Sequence, residues 1–166
     1  MQNKKRTAFF LLGSNMGDRK AWIGKAIQLM EERIAKIKKK SALYETAAWG
    51  DTSQKNFLNI AVSIESSKPP HKLLQLSLEI EEELGRIRTV KNAARRIDID
   101  LLLCGDEQIE ETDLQIPHPR LHLRNFALIP LMEIAGEVQH PTLHKSIEEL
   151  FFECEDRLEV IKLNEK

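Results

Sequence analysis

Hydrophobic and polar positions along this chain switch between two periods, and the switches mark its elements. "TAFFLLGSN" is a continuous apolar run of strand length, predicting a buried first strand that ends at Gly13. Asp18 can cap a helix. From there Ala21, Trp22, Ile23, Ala26, Ile27, Met30, Ile34 and Ile37 fall near helical spacing on one side, predicting a helix through about Lys36. Lys36, Lys38, Lys39 and Lys40 close that helix and open a second strand, "SALYET", followed by a loop, "AAWGDTSQK". In "NFLNIAVSIE" the period becomes two. Phe57, Asn59, Ala61 and Ser63 take one face of a third strand, and Leu58, Ile60, Val62 and Ile64 the other. "SSKPP" breaks the pattern, and Pro69 and Pro70 suit a turn and a first helical turn. Leu73, Leu74, Leu76, Ile80 and Leu84 carry the next helix, which Gly85 ends.

"RIRTVKNAAR" then reads as a basic loop and "RIDIDLLLC" as a fourth strand. "GDEQIEETDLQIPHPR" gives a turn and a short edge strand. "LRNFALIPLMEIA" is a helix kinked or restarted at Pro130. A helix near Ile147 to Phe152 and a last short strand in "LEVIKL" complete the chain. The order is β-α-β-β-α-β with a C-terminal extension. It predicts one α+β domain over residues 1–166: a ferredoxin-like sandwich, with a mainly antiparallel sheet and helices on both sides. That architecture hosts many chemistries and selects none.

Composition narrows the classes. With 42% hydrophobic and 31% charged residues the chain reads as globular rather than disordered. A net charge of −1 gives no overall attraction to nucleic acid or an anionic membrane, so any anion site must be local. Cys104 and Cys154 share no metal-ligand spacing and read as two reduced thiols. The apolar run from Ala8 to Leu12 is shorter than the roughly seven residues of a secretory core, and no stretch is long enough to span a bilayer. A cytoplasmic monomer is expected.

The chemistry concentrates around "RRIDIDLLLCG". Asp98 and Asp100 are i and i+2 in a strand, so they project from the same face, about 7 Å apart, while Ile97, Ile99 and Leu101 face the other way. Two ionised carboxylates on one face repel each other and lose solvation unless a cation compensates. Magnesium fits, since it takes one or two carboxylates plus substrate phosphates. Ion pairing to nearby arginines fits as well, and this short pattern leaves both open. Arg86, Arg88, Lys91, Arg95 and Arg96 lie within eleven residues just before the carboxylates. Guanidinium groups bind phosphate oxygens in two-pronged fashion and neutralise charge as a phosphoryl group moves. The bland alternative is a solvated charged loop. An RNA-binding surface is disfavoured by an aromatic content of only 5%. "LGSNMGD" lacks both common nucleotide fingerprints and reads as a strand-to-helix turn. His118 sits between two prolines, whose rigidity fixes where its imidazole points. Phe57 and Phe126 are single aromatics at a strand start and a helix start; each suits a core, and together they suit a flat heterocycle. His122, His140 and His144 show no usable spacing.

The ordered set "GSNMGDR", "YETAAWG", "QKNFLN", "LEIEEELGRIR", "RRIDIDLLL" and "IPHPRLHLRNFALIPLMEIA" resembles the 6-hydroxymethyl-7,8-dihydropterin pyrophosphokinases of folate biosynthesis, from about Thr7 to Gly136. The resemblance implies transfer of pyrophosphate from ATP to the hydroxymethyl group of 6-hydroxymethyl-7,8-dihydropterin, with release of AMP. It implies that Asp98 and Asp100 hold two Mg2+ bridging the ATP phosphates, and that Arg86 and Arg95 contact the phosphates and assist transfer. Arg88, His118 and Arg124 match ATP-side positions. Phe57 and Phe126 match the pair that stacks on the pterin, Asn59 matches the residue that bonds its edge, and Thr46 and Ala47 match the loop backbone beside it. Where many members carry Trp-Gly-Pro-Arg before the aspartates, this chain has "KNAAR"; Trp49 is the aromatic that could substitute for that Trp over the pterin. Leu78 stands where a glutamine is common. Two rival readings remain at this level: another Asp-x-Asp nucleotide enzyme, and a non-catalytic RNA-binding or regulatory module.

Overall fold

The computed structural model describes residues 4–47, 55–85 and 96–164. Its main sheet is built around β1 (Arg6–Ser14), which is hydrogen-bonded on both edges. One neighbour is β4 (Phe57–Ser66) and the other is β5 (Asp98–Cys104), both antiparallel. Beyond β4 lies β3 (Tyr44–Thr46), and β2 (Ile37–Lys40) pairs with another stretch of β4. Counting β2 and β3 as one strand, the order is fourth-first-third-second, the ferredoxin-like arrangement the element order predicts. β8 (Val160–Lys162) extends the sheet by pairing with β3.

Alternation along the strands feeds two cores. Ala8, Phe10 and Leu12 join Leu58, Ile60, Val62 and Ile64 beneath α1 (Arg19–Arg33) and α2 (Pro70–Glu83). Phe9 and Leu11 face the opposite way, toward α3 (Asn125–Ala135) and α4 (Ile147–Glu153). Helices therefore cover both faces. Pro130 sits inside α3 without ending it.

Three local expectations are corrected. α1 stops at Arg33 rather than near Lys36: Ile34 is the buried cap residue, and the next N–H, of Ala35, reaches back five residues to the Met30 carbonyl at 3.2 Å, which breaks the helical ladder. The lysines that follow form β2, an edge strand whose exposed cationic side chains discourage pairing with other chains. "SALYET" is not a continuous strand. Ser41 donates its N–H to the Ala61 carbonyl at 2.9 Å, and its hydroxyl accepts the Ala61 N–H at 2.9 Å, so at the gap between β2 and β3 a side chain replaces a ladder bond to β4. The segment after β5 is not an edge of the main sheet: β6 (Ile109–Glu110) and β7 (Gln115–Ile116) form a separate hairpin. Among the described residues no helix is long and apolar enough to cross a membrane. Cys104 and Cys154 are both free, and burial pushes the Cys104 thiol up.

Phe10 is fully enclosed, whereas Phe152 is 73% exposed. Phe10→Ala is expected to cost about 3–5 kcal/mol in urea denaturation, and Phe152→Ala to stay within about 0.5 kcal/mol.

Candidate active site

The site forms where β1 ends and β4 and β5 begin. Antiparallel pairing puts Gly13 opposite both Asp98 and Asn59, and Asn59 opposite Tyr44. Paired residues share a face, so Asp98, Gly13, Asn59 and Tyr44 make one row across the sheet on its α3 side. Leu11, Asp100 and Ala61 form the next row. The aspartates thus project together, as their spacing predicts, and both are half-buried. Among the described residues no third acidic, histidine or cysteine side chain completes a protein-only metal cluster with them. Two hard oxygen donors on one face, with no further protein ligand among the described residues, suit a cation that takes its remaining ligands from substrate and water.

Gly13 occupies its place for a steric reason. A Cβ there would lie 2.6 Å from Asn59 Oδ1 and 3.5 Å from the Phe57 ring. The bare backbone lets the Asn59 amide oxygen and the Phe57 ring sit directly over the strand. Asn59 is orientated by donating from Nδ2 to Thr46 Oγ1 at 3.0 Å, inside the fold. Thr46 pairs with Phe57, and Ala47 follows it at the strand end. Asn15, from the "GSN" turn, donates to the Lys55 carbonyl at 3.2 Å. Arg19 bonds Glu45 at 2.6 Å and the Asn56 carbonyl at 3.0 Å, tying the start of α1 to this end of the sheet.

On the other side of the row, His118 donates its backbone N–H to the Leu102 carbonyl of β5 at 2.9 Å. Its Nδ1 accepts the Arg120 N–H at 3.2 Å. Burial first, then the positive charge of Arg124, push this imidazole down to about 4; the Asp98 carboxylate pulls the other way, and Arg120 adds to the depression. His118 is therefore neutral at pH 7, held within the fields of both Arg124 and Asp98. The Arg124 guanidinium lies 5.4 Å from the centre of the Phe126 ring, a cation–π contact at the start of α3.

The described residues thus bring Asp98, Asp100, His118, Arg124 and Phe126 to one side, and Thr46, Ala47, Phe57 and Asn59 to the other. Arg86, Arg88, Arg95 and Trp49 lie outside the described residues. Arg96 is described: its guanidinium lies 5.3 Å from the Trp22 ring centre, and Lys25 Nζ lies 4.8 Å from the same ring centre. These side chains line an open groove of about 530 Å3 along the start of α1. Sequence reasoning missed Glu81. This buried side chain of α2 accepts the N–H of Ile99, the residue between the two aspartates, at 2.6 Å. Its place four residues before Gly85 on the inner side of α2 was the available signal.

A family model described as 7,8-dihydro-6-hydroxymethylpterin-pyrophosphokinase matches residues 9–136. The chain belongs to this pyrophosphokinase family. A 2-amino-4-hydroxy-6-hydroxymethyldihydropteridine pyrophosphokinase of Aquifex aeolicus is 43% identical over 86% of this chain and 89% of its own length. Another, of Bacillus subtilis, is 44% identical over 80% of each chain. In fold, the chain resembles the Plasmodium falciparum HPPK-DHPS, wild type with pterin and p-hydroxybenzoate, with a TM-score of 0.73 at 20% identity. That match covers 92% of this chain and 42% of the larger one.

Two outcomes test the geometry of this pyrophosphokinase. Gly13→Ala is expected to displace the Asn59 amide and break its bond to Thr46. Urea denaturation should show a loss of about 1–3 kcal/mol, and the Asn59 side-chain amide signal should shift in NMR. For His118, the unfolded chain takes up a proton below its ordinary value near 6.5, while the folded chain does so only near 4. The unfolded state binds more protons in that window. The neutral-histidine contribution to stability is therefore complete above about pH 6.5, falls as pH drops towards 4, and levels off below. His118→Gln should flatten that part of the stability–pH curve in metal-free protein.

Proposed function

We propose that this enzyme transfers pyrophosphate from ATP to the hydroxymethyl group of 6-hydroxymethyl-7,8-dihydropterin, with Asp98 and Asp100 holding two Mg2+ against the ATP phosphates. Family membership supports the reaction class. The observation that carries the site is the row of Asp98, Gly13 and Asn59, which sets the carboxylates beside an amide-bearing, aromatic-walled strip of the same sheet face.

In the transfer, the hydroxymethyl oxygen forms a bond to the β-phosphorus and gives up its proton to solvent, the bond from that phosphorus to the oxygen bridging the α-phosphate breaks, and AMP leaves with that oxygen. Asp98 and Asp100 would hold the magnesium, which would supply charge neutralisation on the phosphate oxygens. The chain's own work is positioning. Asn59 presents Oδ1 toward donors on the pterin edge, while Thr46 holds its amide from rotating. Phe57 and Phe126 provide flat apolar surface, and Ala47 continues the strand end beside them. Trp49 is assigned to the same pterin wall. Neutral His118 keeps an N–H to donate to phosphate, and Arg124 adds a fixed positive charge close by. Arg86, Arg88 and Arg95 are assigned to the phosphates, with Arg86 and Arg95 steadying the charge of the transferred group.

The experiment is an assay with ATP, magnesium and the reduced pterin, identifying the nucleotide product. Pterin-dependent AMP is expected; ADP would point to a different kinase chemistry, and no pterin-dependent product would overturn the reading. Asp98→Asn and Asp100→Asn should each lower turnover by about 10³-fold or more with unchanged circular dichroism. Wild-type turnover in the double variant would sink the metal assignment.

A further inference from the structure

The segment after α4 lies beyond the residues matched by the family model, yet it grips both walls of the site just described. Its first anchor is Asp156. One carboxylate oxygen, Oδ2, accepts the backbone N–H of Asn125, the first residue of α3, at 2.9 Å. The Asp156 backbone carbonyl accepts the Asn125 side-chain amide at 3.0 Å. The other carboxylate oxygen accepts the Leu158 N–H at 3.0 Å, which fixes the turn that presents the first. Arg124, in the N-cap position of α3, makes no capping bond with its own side chain. Asp156 therefore caps this helix from 31 residues away. Its charge also suits the positive end of the helix dipole.

The second anchor is β8. Val160 pairs with Thr46, Ile161 with Glu45 and Lys162 with Tyr44, and the Leu163 N–H reaches the Leu43 carbonyl at 2.8 Å. Lys162 also stands 3.7 Å from Glu133 of α3, the carboxylate that receives the Tyr44 hydroxyl. One short strap thus holds the residue next to Phe126 at one end and the strand that ends in Thr46 at the other.

We infer that Asp156 is a positioning residue for pterin binding: by capping α3 it fixes the turn that carries Phe126 relative to the Thr46–Asn59 wall. It touches no substrate. The inference rests on the pterin assignment above.

The test uses the full chain with Asp156→Ala, Asp156→Asn and, as a control on α4 outside the site, Glu153→Ala. Each protein is saturated with magnesium and α,β-methylene-ATP and titrated calorimetrically with 6-hydroxymethylpterin. The nucleotide analogue is titrated separately, and melting temperatures are recorded. Asp156→Ala should weaken pterin binding about tenfold, while nucleotide binding, felt only through the charge of the neighbouring Arg124, should weaken less than about threefold. Asp156→Asn, which keeps one acceptor, should fall between Ala and wild type, and Glu153→Ala should match wild type. Unchanged pterin affinity in Asp156→Ala overturns the inference. So does a parallel loss of pterin affinity, nucleotide affinity and melting temperature, which is the mark of a purely structural cap. If Asp156→Ala does not fold, Asp156→Asn carries the same comparison. A wild-type chain that binds no pterin refutes the site reading itself, and the inference falls with it.

Discussion

Hydrogen bonding along both edges of β1 fixes what the rest of the molecule can do. Antiparallel register is all-or-none for a buried strand, because a slip of one residue sends every side chain to the other face. Here a slip would exchange Phe10 and Leu12 for Phe9 and Leu11, against two differently shaped cores. The register that satisfies both cores is also the one that places Gly13 between Asp98 and Asn59. The packing of two apolar layers thus determines, with no further device, which polar groups share the sheet end.

Polar groups there are held by neighbours rather than left to solvent. The Asn59 amide is pinned by Thr46, the His118 backbone by Leu102, and the Ile99 N–H by a carboxylate buried beneath α2. Burying Glu81 is costly unless its charge is compensated or its oxygens are occupied. One of those oxygens is occupied by the Ile99 N–H, which ties α2 to β5 between the two aspartates. The depressed His118 belongs to the same pattern: burial disfavours the cationic imidazole, the nearby Arg124 charge adds to that, and the ring stays neutral.

Much of this was legible in the sequence, because the strands use both faces. The alternation in "NFLNIAVSIE" correctly separated Asn59 from Leu58 and Ile60, and the Asp-x-Asp spacing put both carboxylates on one side. What escaped did so for identifiable reasons. The end of α1 was blurred because Ile34 and Ile37 continue a helical spacing although only the first belongs to the turn. The break at Ser41 depends on a hydroxyl-to-backbone bond, which no period records. Asp156 was invisible because its partner is distant in the chain, and nothing in "CEDRLEV" distinguishes one acid from the next. The family resemblance carried the individual roles. For Asp98, Asn59 and Phe126 the geometry now gives physical surroundings against which those roles can be weighed.

The break in the β1–β5 ladder was equally hidden, since "LLLC" is apolar throughout. Phe9 pairs with Leu103 and Phe10 with Leu101, so Leu102 is an extra residue, and both Leu102 and Leu103 enter the α3-side core. The carbonyl of that same Leu102 receives the His118 N–H. The irregularity therefore ties the histidine loop to the strand of the aspartates. In the proposed reaction, a polyphosphate meeting His118 and the two aspartates would cost the protein little conformational freedom at these positions, leaving more of the electrostatic attraction to appear as affinity.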